Sequence, residues 1–226
     1  MINKKLKICH IGWATSAHTA RWVKWFADRG HECYCITDDG VIEGVETFVI
    51  PKSLGNDTRS RWTRYKELSF NDYKWLRYRW VRKLVQQLDP DILHSHALWS
   101  PGNLGVYLGV KNYVITVMNG DVLHHFGKDA SLSHHLMVMY AMRKAKIITG
   151  VSQTLLDAAQ KHGASKDRTH VIRRGVDFSL FNVHRSKNDV RKQLGLKSKY
   201  IVLSPRYLAP KGNVSTLIRA VPLIVE

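Results

Sequence analysis

Two neighbouring segments in the last third of the sequence decide how the chain is interpreted: VIRRGVDFSLF (residues 171–181) and YIVLSPRYLAPKGN (residues 200–213). The first is a short apolar strand that runs into a turn at Gly175 and Asp177. The second is a new apolar strand that ends at a loop and leads into a helix. A polar, basic spacer separates them. This order predicts the end of one α/β domain and the start of another.

The loop of the second segment carries two cations, Arg206 and Lys211, at a spacing of five residues. A loop that leads a strand into a helix offers backbone N–H groups and the positive end of a helix dipole. Together with two cationic side chains, these groups can hold a diphosphate. A solvated basic loop before an ordinary helix explains the same residues. The residues alone leave both interpretations open.

The two segments resemble the linker and the start of the donor site in GT-B glycosyltransferases of family 4. The family commonly has a Gly-Val-Asp turn before its linker, and the Arg and Lys of the next loop hold the diphosphate of a nucleotide sugar. The resemblance implies this role for Arg206 and Lys211. The sequence departs from the family at Arg174, where Asn is usual, and at Ser204 and Pro205, where a Gly often precedes the Arg.

Length and composition bound the function classes. The 226 residues suffice for one large α/β domain, or for one domain and a fragment. The formal net charge of +17 indicates polyanionic partners: nucleic acid, an anionic membrane surface or phosphorylated substrates. The three cysteines lie in apolar segments, which favours reduced core thiols in a cytoplasmic protein over disulfides or a zinc site. No run is long enough to span a membrane, so membrane contact would be peripheral, on the inner face.

Short apolar segments alternate with helical ones along the chain, which predicts an α/β fold with a Rossmann-like, doubly wound parallel sheet. The predicted strands are 6–11, 33–37, 47–50, 91–95, 113–117, 146–151 and 169–172. We expect an acceptor-side domain over residues 1–181, a linker over 182–199, and a truncated second domain over 200–226. A βα fragment of that size cannot bury both of its own faces.

The segment SAHTARWVKWFADRGHE (residues 16–32) resembles the first loop and helix of the family, at the mouth of the cleft between its two halves. The resemblance implies Gly12, His18 and Thr19 as cleft residues, with His18 a catalytic candidate. A solvent-exposed or helix-capping role is the alternative for His18. Because no G-x-G-x-x-G follows the first strand, we do not expect a nicotinamide or flavin cofactor.

The segment PDILHSHALW (residues 90–99) resembles a PD-apolar-H-x-H segment of the family that ends in the cleft. This implies His96 as a catalytic candidate and a structural role for His94. Alternate residues of a strand face the same side, so both imidazoles could reach one metal ion. No third ligand or carboxylate lies nearby in the sequence, and we therefore expect no metal here.

The segment MNGDVL (residues 118–123) follows the fifth predicted strand. Its resemblance to the acceptor side of the family implies that Asp121 contacts the acceptor hydroxyl, with Asn119 and Gly120 in the cleft. Met118 stands where the family often has His, which argues against an imidazole base at this position. The alternative is an Asn-Gly turn in which Asp121 caps the next segment.

Residues 59–83 combine nine Lys or Arg with two acids and interleaved Trp and Tyr. Three interpretations fit: an amphipathic helix with a solvated basic face, contact with an anionic bilayer, or single-stranded nucleic acid. No nucleic-acid motif accompanies the charge, so we expect no specific nucleic-acid partner. The helical periodicity predicts Leu76 on the buried stripe and Arg77 off it.

The resemblance covers the whole chain and implies transfer of a hexosyl-type sugar from a nucleotide sugar to a hydroxyl acceptor. In the family this reaction is generally retaining and uses no bound metal or other cofactor. The basic aromatic segment would suit a lipid-linked acceptor or another intermediate of cell-envelope polysaccharide. The paired glutamates of the family's donor half have no counterpart in residues 200–226, so we expect this chain alone to be inactive. The alternative is a non-catalytic remnant or a basic membrane- or acceptor-binding module.

Overall fold

The computed structural model describes residues 4–54, 72–98, 101–123, 132–179, 181, 187–198, 200–206, 208 and 210–225. For 72–74, 133–134, 187–189, 211 and 225 the description is limited to the backbone. The chain divides into two compact units, Met1–Arg174 and Gly175–Glu226. The larger part of the basic aromatic segment, residues 59–71, lies outside the described residues.

The first unit is built on one seven-stranded sheet, and all its paired strands are parallel. The strands are β1 (Lys7–Ile11), β2 (Glu32–Thr37), β3 (Glu46–Val49), β4 (Ile92–His96), β5 (Tyr113–Val117), β6 (Ile147–Gly150) and β7 (Thr169–Val171). Their order in the sheet is β3-β2-β1-β4-β5-β6-β7. This confirms the predicted Rossmann-like, doubly wound architecture.

Five helices of the first unit are described. They are α1 (Ala17–Ala27), α2 (Asp72–Leu88), α3 (Gly120–Leu123), α4 (Leu132–Lys144) and α5 (Gln153–Lys161). Serine side chains cap two of them: Ser16 accepts the His18 backbone N–H at 3.4 Å, and Ser152 accepts that of Leu155 at 3.4 Å. Gly30 follows α1 with a φ of +83°, a conformation that glycine adopts without steric cost.

The sheet separates two apolar layers. On one side, β1 and β2 pack against α1 through Ile8, Cys35 and Val23. On the other side, the larger cluster joins the central strands to α2, α4 and α5. Cys9, Cys33 and Cys35 are buried free thiols. Burial raises the pKa of Cys33 to about 11 and that of Cys35 to about 12, with Asp39 adding to the second shift. Both therefore stay protonated at neutral pH.

The buried stripe of α2 differs from the predicted one. Leu76 is 47% exposed, whereas Arg77 is only 5% exposed and forms an ion pair with Asp38. Arg77 lies four residues before Val81 and eight before Val85, both buried, and residues at this spacing share a helix face. The prediction that Arg77 lies off the stripe was wrong, since its charge is neutralised by an acid that is distant in sequence.

The second unit contains two described helices, α6 (Lys187–Gln193) and α7 (Val214–Val225). The strand predicted over Tyr200–Ser204 is not formed: within the described part of this unit, no residue is assigned to a strand. The reason is that a strand is stabilised by hydrogen bonds to a neighbour, and a single βα segment has none to offer. Tyr200 and Leu203 are consequently exposed.

Candidate functional site

The strand order places a topological switch point at the carboxyl ends of β1 and β4. These strands are neighbours in the sheet, but the chain continues from β1 towards β2 on one side and from β4 towards β5 on the other. Open α/β sheets bind their ligands at such a switch point, because the loops diverge there. The candidate site residues that the sequence predicts in the first unit all lie in β1, β4 or β5, or in the segments that follow these strands.

Gly12 brings the segment after β1 against β4 and α1. A Cβ atom added at Gly12 would lie 2.8 Å from the Cβ of His96 and 3.2 Å from Oγ1 of Thr19. A side chain here would therefore push the start of α1 away from β4. Thr19 is itself buried. Gly12, Thr19 and His96, each expected in the cleft, thus lie together in close packing.

His96 belongs to a buried group of three imidazoles, which we call the histidine cluster (His10, His94 and His96). His10 pairs in register with His94 across β1 and β4, and His96 lies two residues further along the same face. The rings are in contact: Nδ1 of His10 lies 3.0 Å from Nε2 of His96. Trp22 of α1 packs edge-on against His94, with ring centroids 5.1 Å apart.

Burial makes the histidine cluster neutral. It lowers the pKa of His94 to about 3 and the pKa values of His10 and His96 well below the ordinary value, with repulsion from neighbouring imidazoles adding to the last two. An imidazole in this environment cannot carry a proton at neutral pH. His96 therefore faces other histidines inside the unit instead of solvent.

Asp121 is fully buried, and its carboxylate joins two loops. Backbone N–H groups donate to it from Asn119 (2.8 Å), Met118 (3.1 Å) and Leu98 (3.2 Å). Burial raises the pKa of this carboxyl group, and the three N–H donors oppose the rise. With its oxygens bonded to the backbone, Asp121 holds the end of β5 to the loop after β4. The alternative from the sequence placed Asp121 as a cap of the next segment, whereas its carboxylate binds N–H groups of the residues before it and of the loop after β4.

Asn119 and Gly120 form the start of α3 beside Asp121. Asn119 is exposed, and its carbonyl oxygen accepts the backbone N–H groups of Val122 at 3.2 Å and Leu123 at 3.0 Å. The exposed Asn119 therefore lies at the carboxyl end of β5.

His18 is half-buried in the first turn of α1. Burial lowers its pKa, and the charges of Arg174 and Arg21 lower it further. Arg174 also contacts Met118, with 3.5 Å between its guanidinium and the sulfur. Residues from α1, from the end of β5 and from the segment after β7 therefore meet at the carboxyl edge of the sheet. Of the predicted catalytic side chains, His18 has the best access to solvent.

The predicted diphosphate residues lie in the second unit. Arg206 is exposed in a bend, and Lys211 lies in a 3-10 turn, Pro210–Gly212, that leads into α7. Asn213 follows with a φ of +53° and accepts a hydrogen bond from the Thr216 hydroxyl at 2.7 Å. The backbone thus places Lys211 before the positive end of the α7 dipole.

Sequence reasoning missed two residues of this region, His10 and Arg174. His10 could have been found by combining the doubly wound strand order with alternation, because this order sets β1 beside β4 and aligns His10 with His94. Arg174 was noticed only as a departure from Asn in the family pattern. Its position beside His18 depends on the residue at which β7 ends. The periodicity of the sequence does not locate the end of a strand to a single residue.

A family model described as Glycosyltransferase Family 4 matches residues 15–180. The chain belongs to glycosyltransferase family 4. The matched range includes most of the first unit, with the segments that follow β1, β4 and β5. It stops before Arg206 and Lys211.

Solved structures share the fold of this family 4 chain. The sucrose-phosphate synthase of Thermosynechococcus elongatus aligns with a TM-score of 0.61 at 13% identity, over 89% of this chain and 54% of that one. A glycosyltransferase from Rickettsia africae aligns at 0.59 and 16%, over 87% and 51%. Anabaena HepE in complex with UDP-glucose aligns at 0.56 and 18%, over 84% and 50%. At these identities the likeness concerns the fold.

The chain spans about half the length of each of these three structures. No match was found among curated proteins. Within the described residues, no helix has both the length and the apolar character needed to cross a bilayer.

Proposed function

We propose that this family 4 chain is the acceptor-side half of a glycosyltransferase that moves a hexosyl-type sugar from a nucleotide sugar to a hydroxyl acceptor with retention. The family match over residues 15–180 carries the proposal, because it covers the segments that form the carboxyl edge of the sheet. The fold shared with HepE in its UDP-glucose complex supports a nucleotide-sugar donor.

On the acceptor side, His18 is the residue that we assign to the acceptor hydroxyl. Its pKa is lowered by burial and by Arg174 and Arg21, so a neutral ring nitrogen is available to accept a hydrogen bond from that hydroxyl. Asp121 and His96 are positioning residues in this proposal. Asp121 fixes the β5 end through its backbone hydrogen bonds, and His96 fixes the approach of β1 to β4 at Gly12.

On the donor side, Arg206 and Lys211 hold the diphosphate. As the bond between sugar and diphosphate breaks, negative charge accumulates on the departing group, and two cations together with the N-terminus of α7 would stabilise it. These groups supply the electrostatic stabilisation that a divalent ion gives in other transferases, and we propose a metal-independent transfer. We further propose that residues 200–226 do not form a complete donor site, so the 226-residue chain alone does not catalyse transfer.

The acceptor is proposed to be lipid-linked and bound at the cytoplasmic face of an anionic membrane. The support is a row of four ring side chains, the aromatic ladder (Trp75, Tyr78, Tyr107 and Tyr140). Successive ring centroids lie 5.6, 6.5 and 5.9 Å apart, and the ammonium of Lys144 lies 5.6 Å from the ring of Tyr140. Aromatic rings with adjacent cations suit the headgroup layer of such a membrane.

A second candidate is a binding module without catalysis. The observation that favours it is the exposed apolar surface of the second unit, which includes Leu208 and Leu223. In that case the first unit would retain acceptor and membrane binding, and nucleotide sugars would not be consumed by any form of the protein.

The test uses the native gene product with a panel of nucleotide sugars and lipid-linked acceptors. Arg206→Ala and Lys211→Ala are each expected to lower kcat by about 10²–10³, as loss of one charge-stabilising group does in comparable sites. Lys197→Ala, an exposed cation of the same unit, is the matched control and should leave kcat unchanged. Equal rates for all three variants would overturn the diphosphate assignment, and no transfer with any donor would favour the binding module.

A further inference from the structure

We propose that His10, His94 and His96 form a structural binding site for a transition-metal ion, Zn²⁺ in the first place. The sequence analysis considered His94 and His96 as a metal pair and set them aside because no third ligand was near in the sequence. The fold supplies that ligand from β1. This proposal does not depend on the proposed transferase function.

The geometry of the histidine cluster is close to that of a three-histidine metal site. One ligand nitrogen from each ring lies within 4.8 Å of those from the other two. With Zn–N bonds of about 2.0–2.1 Å, a tetrahedral ion needs nitrogens about 3.3 Å apart. The pair from His10 and His96 is already at 3.0 Å. Small side-chain rotations would bring the three nitrogens to equal separations.

Two nitrogen atoms of the cluster have no partner within the described residues. Nε2 of His10 and Nδ1 of His96 are buried without a hydrogen bond. Buried polar atoms of this kind are uncommon, because an unpaired group has lost its hydration and gained nothing in return. These are the outer nitrogens of the two rings, since Nδ1 of His10 and Nε2 of His96 face each other. In a hydrogen bond between two neutral imidazoles only one of the facing nitrogens offers a lone pair. An ion would accept lone pairs from both facing nitrogens and leave the ring hydrogens on the two outer ones.

The surroundings of His94 match the usual support of a metal-binding histidine. Nε2 of His94 lies 2.7 Å from Oγ1 of Thr116, which in turn lies 2.8 Å from Oγ1 of Thr149. A ligand histidine generally gives its second ring nitrogen to an oxygen partner, which fixes the orientation of the ring. The two buried threonines provide this partner and leave Nδ1 of His94 as the ligand atom.

The donor set selects the class of ion. Three imidazoles and no carboxylate suit Zn²⁺, Cu²⁺ or Ni²⁺, whereas Mg²⁺ and Ca²⁺ prefer oxygen ligands. A fourth position remains for water or hydroxide. Trp22 and Phe26 of α1 pack over the cluster, with ring centroids 5.1 Å from His94 and 6.0 Å from His10. The ion would therefore join β1 to β4 beneath α1, in a site that exchanges slowly with solvent.

The experiment measures metal uptake by the 226-residue chain. The protein is stripped with a chelator, incubated with excess Zn²⁺, desalted and analysed for bound metal, and a Co²⁺-loaded sample is examined for visible absorption. We expect one ion per chain, the spectrum of tetrahedral Co²⁺, and a rise in Tm of about 5–10 °C at a free Zn²⁺ concentration of 100 times Kd.

Variants locate the ion. His10→Gln and His96→Gln should each weaken Zn²⁺ binding at least about 100-fold. His162→Gln is the matched control, because His162 is also a buried histidine but lies outside the cluster, and it should bind like the unmodified chain. Failure of the unmodified chain to retain Zn²⁺ or Co²⁺ would overturn the proposal, whether or not the variants fold. So would retention of one ion per chain by both cluster variants.

Discussion

Two segments of nearly the same composition adopt different structures in this chain. YVITV (residues 113–117) is β5, a strand with neighbours on both sides, and Tyr113 is 4% exposed. YIVLS (residues 200–204) forms no strand, and Tyr200 is 79% exposed. The local sequences are equally suited to a strand. The difference lies in the partners that each unit can supply.

The comparison extends to the two units as wholes. The first has a continuous sheet with apolar clusters on both faces, whereas the second presents exposed Leu203, Leu208 and Leu223. Burial of apolar surface is the main stabilising contribution to folding, so the two units should differ in autonomous stability. In the proposed function, the acceptor-side domain has its complete sheet, whereas the described residues of the donor-side segment form no strand.

The strongest test of this contrast is to produce the two parts separately. Residues 1–181 should unfold cooperatively, since they contain the whole sheet, and residues 182–226 should show no cooperative transition. Circular dichroism during heating measures both. A cooperative transition in the short fragment would show that its apolar residues find sufficient partners within it, and would contradict the contrast.

A pH titration examines the buried polar part of the first unit. The folded pKa values of the histidine cluster are lowered by burial, while unfolded histidine has a pKa of about 6.5. Below pH 6.5 the unfolded state binds more protons, so stability is complete above that pH and is lost as the pH falls. With a chelator present, we expect a loss of up to about 4 kcal/mol between pH 7.5 and 5.5, about 1.4 kcal/mol for each histidine.

Urea unfolding at each pH gives that free energy. His94→Gln is the control, and it should remove about one third of the pH dependence. The lowered pKa values of His18 and His162 act in the same direction. A free energy of unfolding that stays constant between pH 7.5 and 5.5 would show that the cluster is solvated, contrary to its burial.

A matched pair of leucines compares the units directly. Leu93 in β4 is 0% exposed and Leu203 is 81% exposed. Leu93→Ala should lower the free energy of unfolding by about 2–5 kcal/mol, and Leu203→Ala by less than about 0.5 kcal/mol. Urea unfolding measures both. Equal losses would mean that Leu203 is packed as tightly as Leu93, and the difference between the units would disappear.

The exposed surfaces of the two units can be separated by membrane binding. Trp75→Ala removes one end of the aromatic ladder and should weaken binding to anionic vesicles by about 1–2 kcal/mol, or roughly 5–30-fold. Trp25→Ala is the matched control, because Trp25 is 50% exposed and Trp75 is 51% exposed. Vesicle sedimentation measures the affinity.

For the second unit, Leu223→Ala should leave vesicle binding unchanged, since the proposed membrane surface belongs to the first unit. If Leu223→Ala weakened binding more than Trp75→Ala, the membrane surface would be the apolar face of α7. Equal binding to neutral and anionic vesicles, insensitive to salt, would remove the electrostatic part of the proposal.

The fold could be predicted from the sequence because apolar segments and helices alternate regularly, and seven predicted strands correspond to β1–β7. The strand predicted over Tyr200–Ser204 is not formed, and the cause is definite. Strand propensity measures how well a segment fits into a sheet, but it does not show whether a neighbouring strand is available. The prediction for Arg77 was wrong for a related reason, because its ion pair with Asp38 connects residues that are distant in the sequence.

The candidate site was less predictable than the fold. The turn at Asn119 and Gly120 was present as an alternative, because Asn-Gly followed by Asp is a local signal. The bond from Leu98 to Asp121 was not, because these residues are 23 positions apart in the sequence. The histidine cluster was not, because His10 meets His94 and His96 only through the pairing of β1 with β4. Contacts between side chains on neighbouring strands can be predicted once the order of the strands in the sheet is known. The spacing of residues along the sequence does not give that order.

The most direct test of the central claim compares sugar transfer by this 226-residue chain and by the native gene product, side by side, with the same nucleotide sugars and hydroxyl acceptors. Formation of glycosylated acceptor and release of the nucleotide are both measured. We predict transfer by the native gene product and no transfer by this chain alone. Transfer by the 226-residue chain at the same rate would contradict the account.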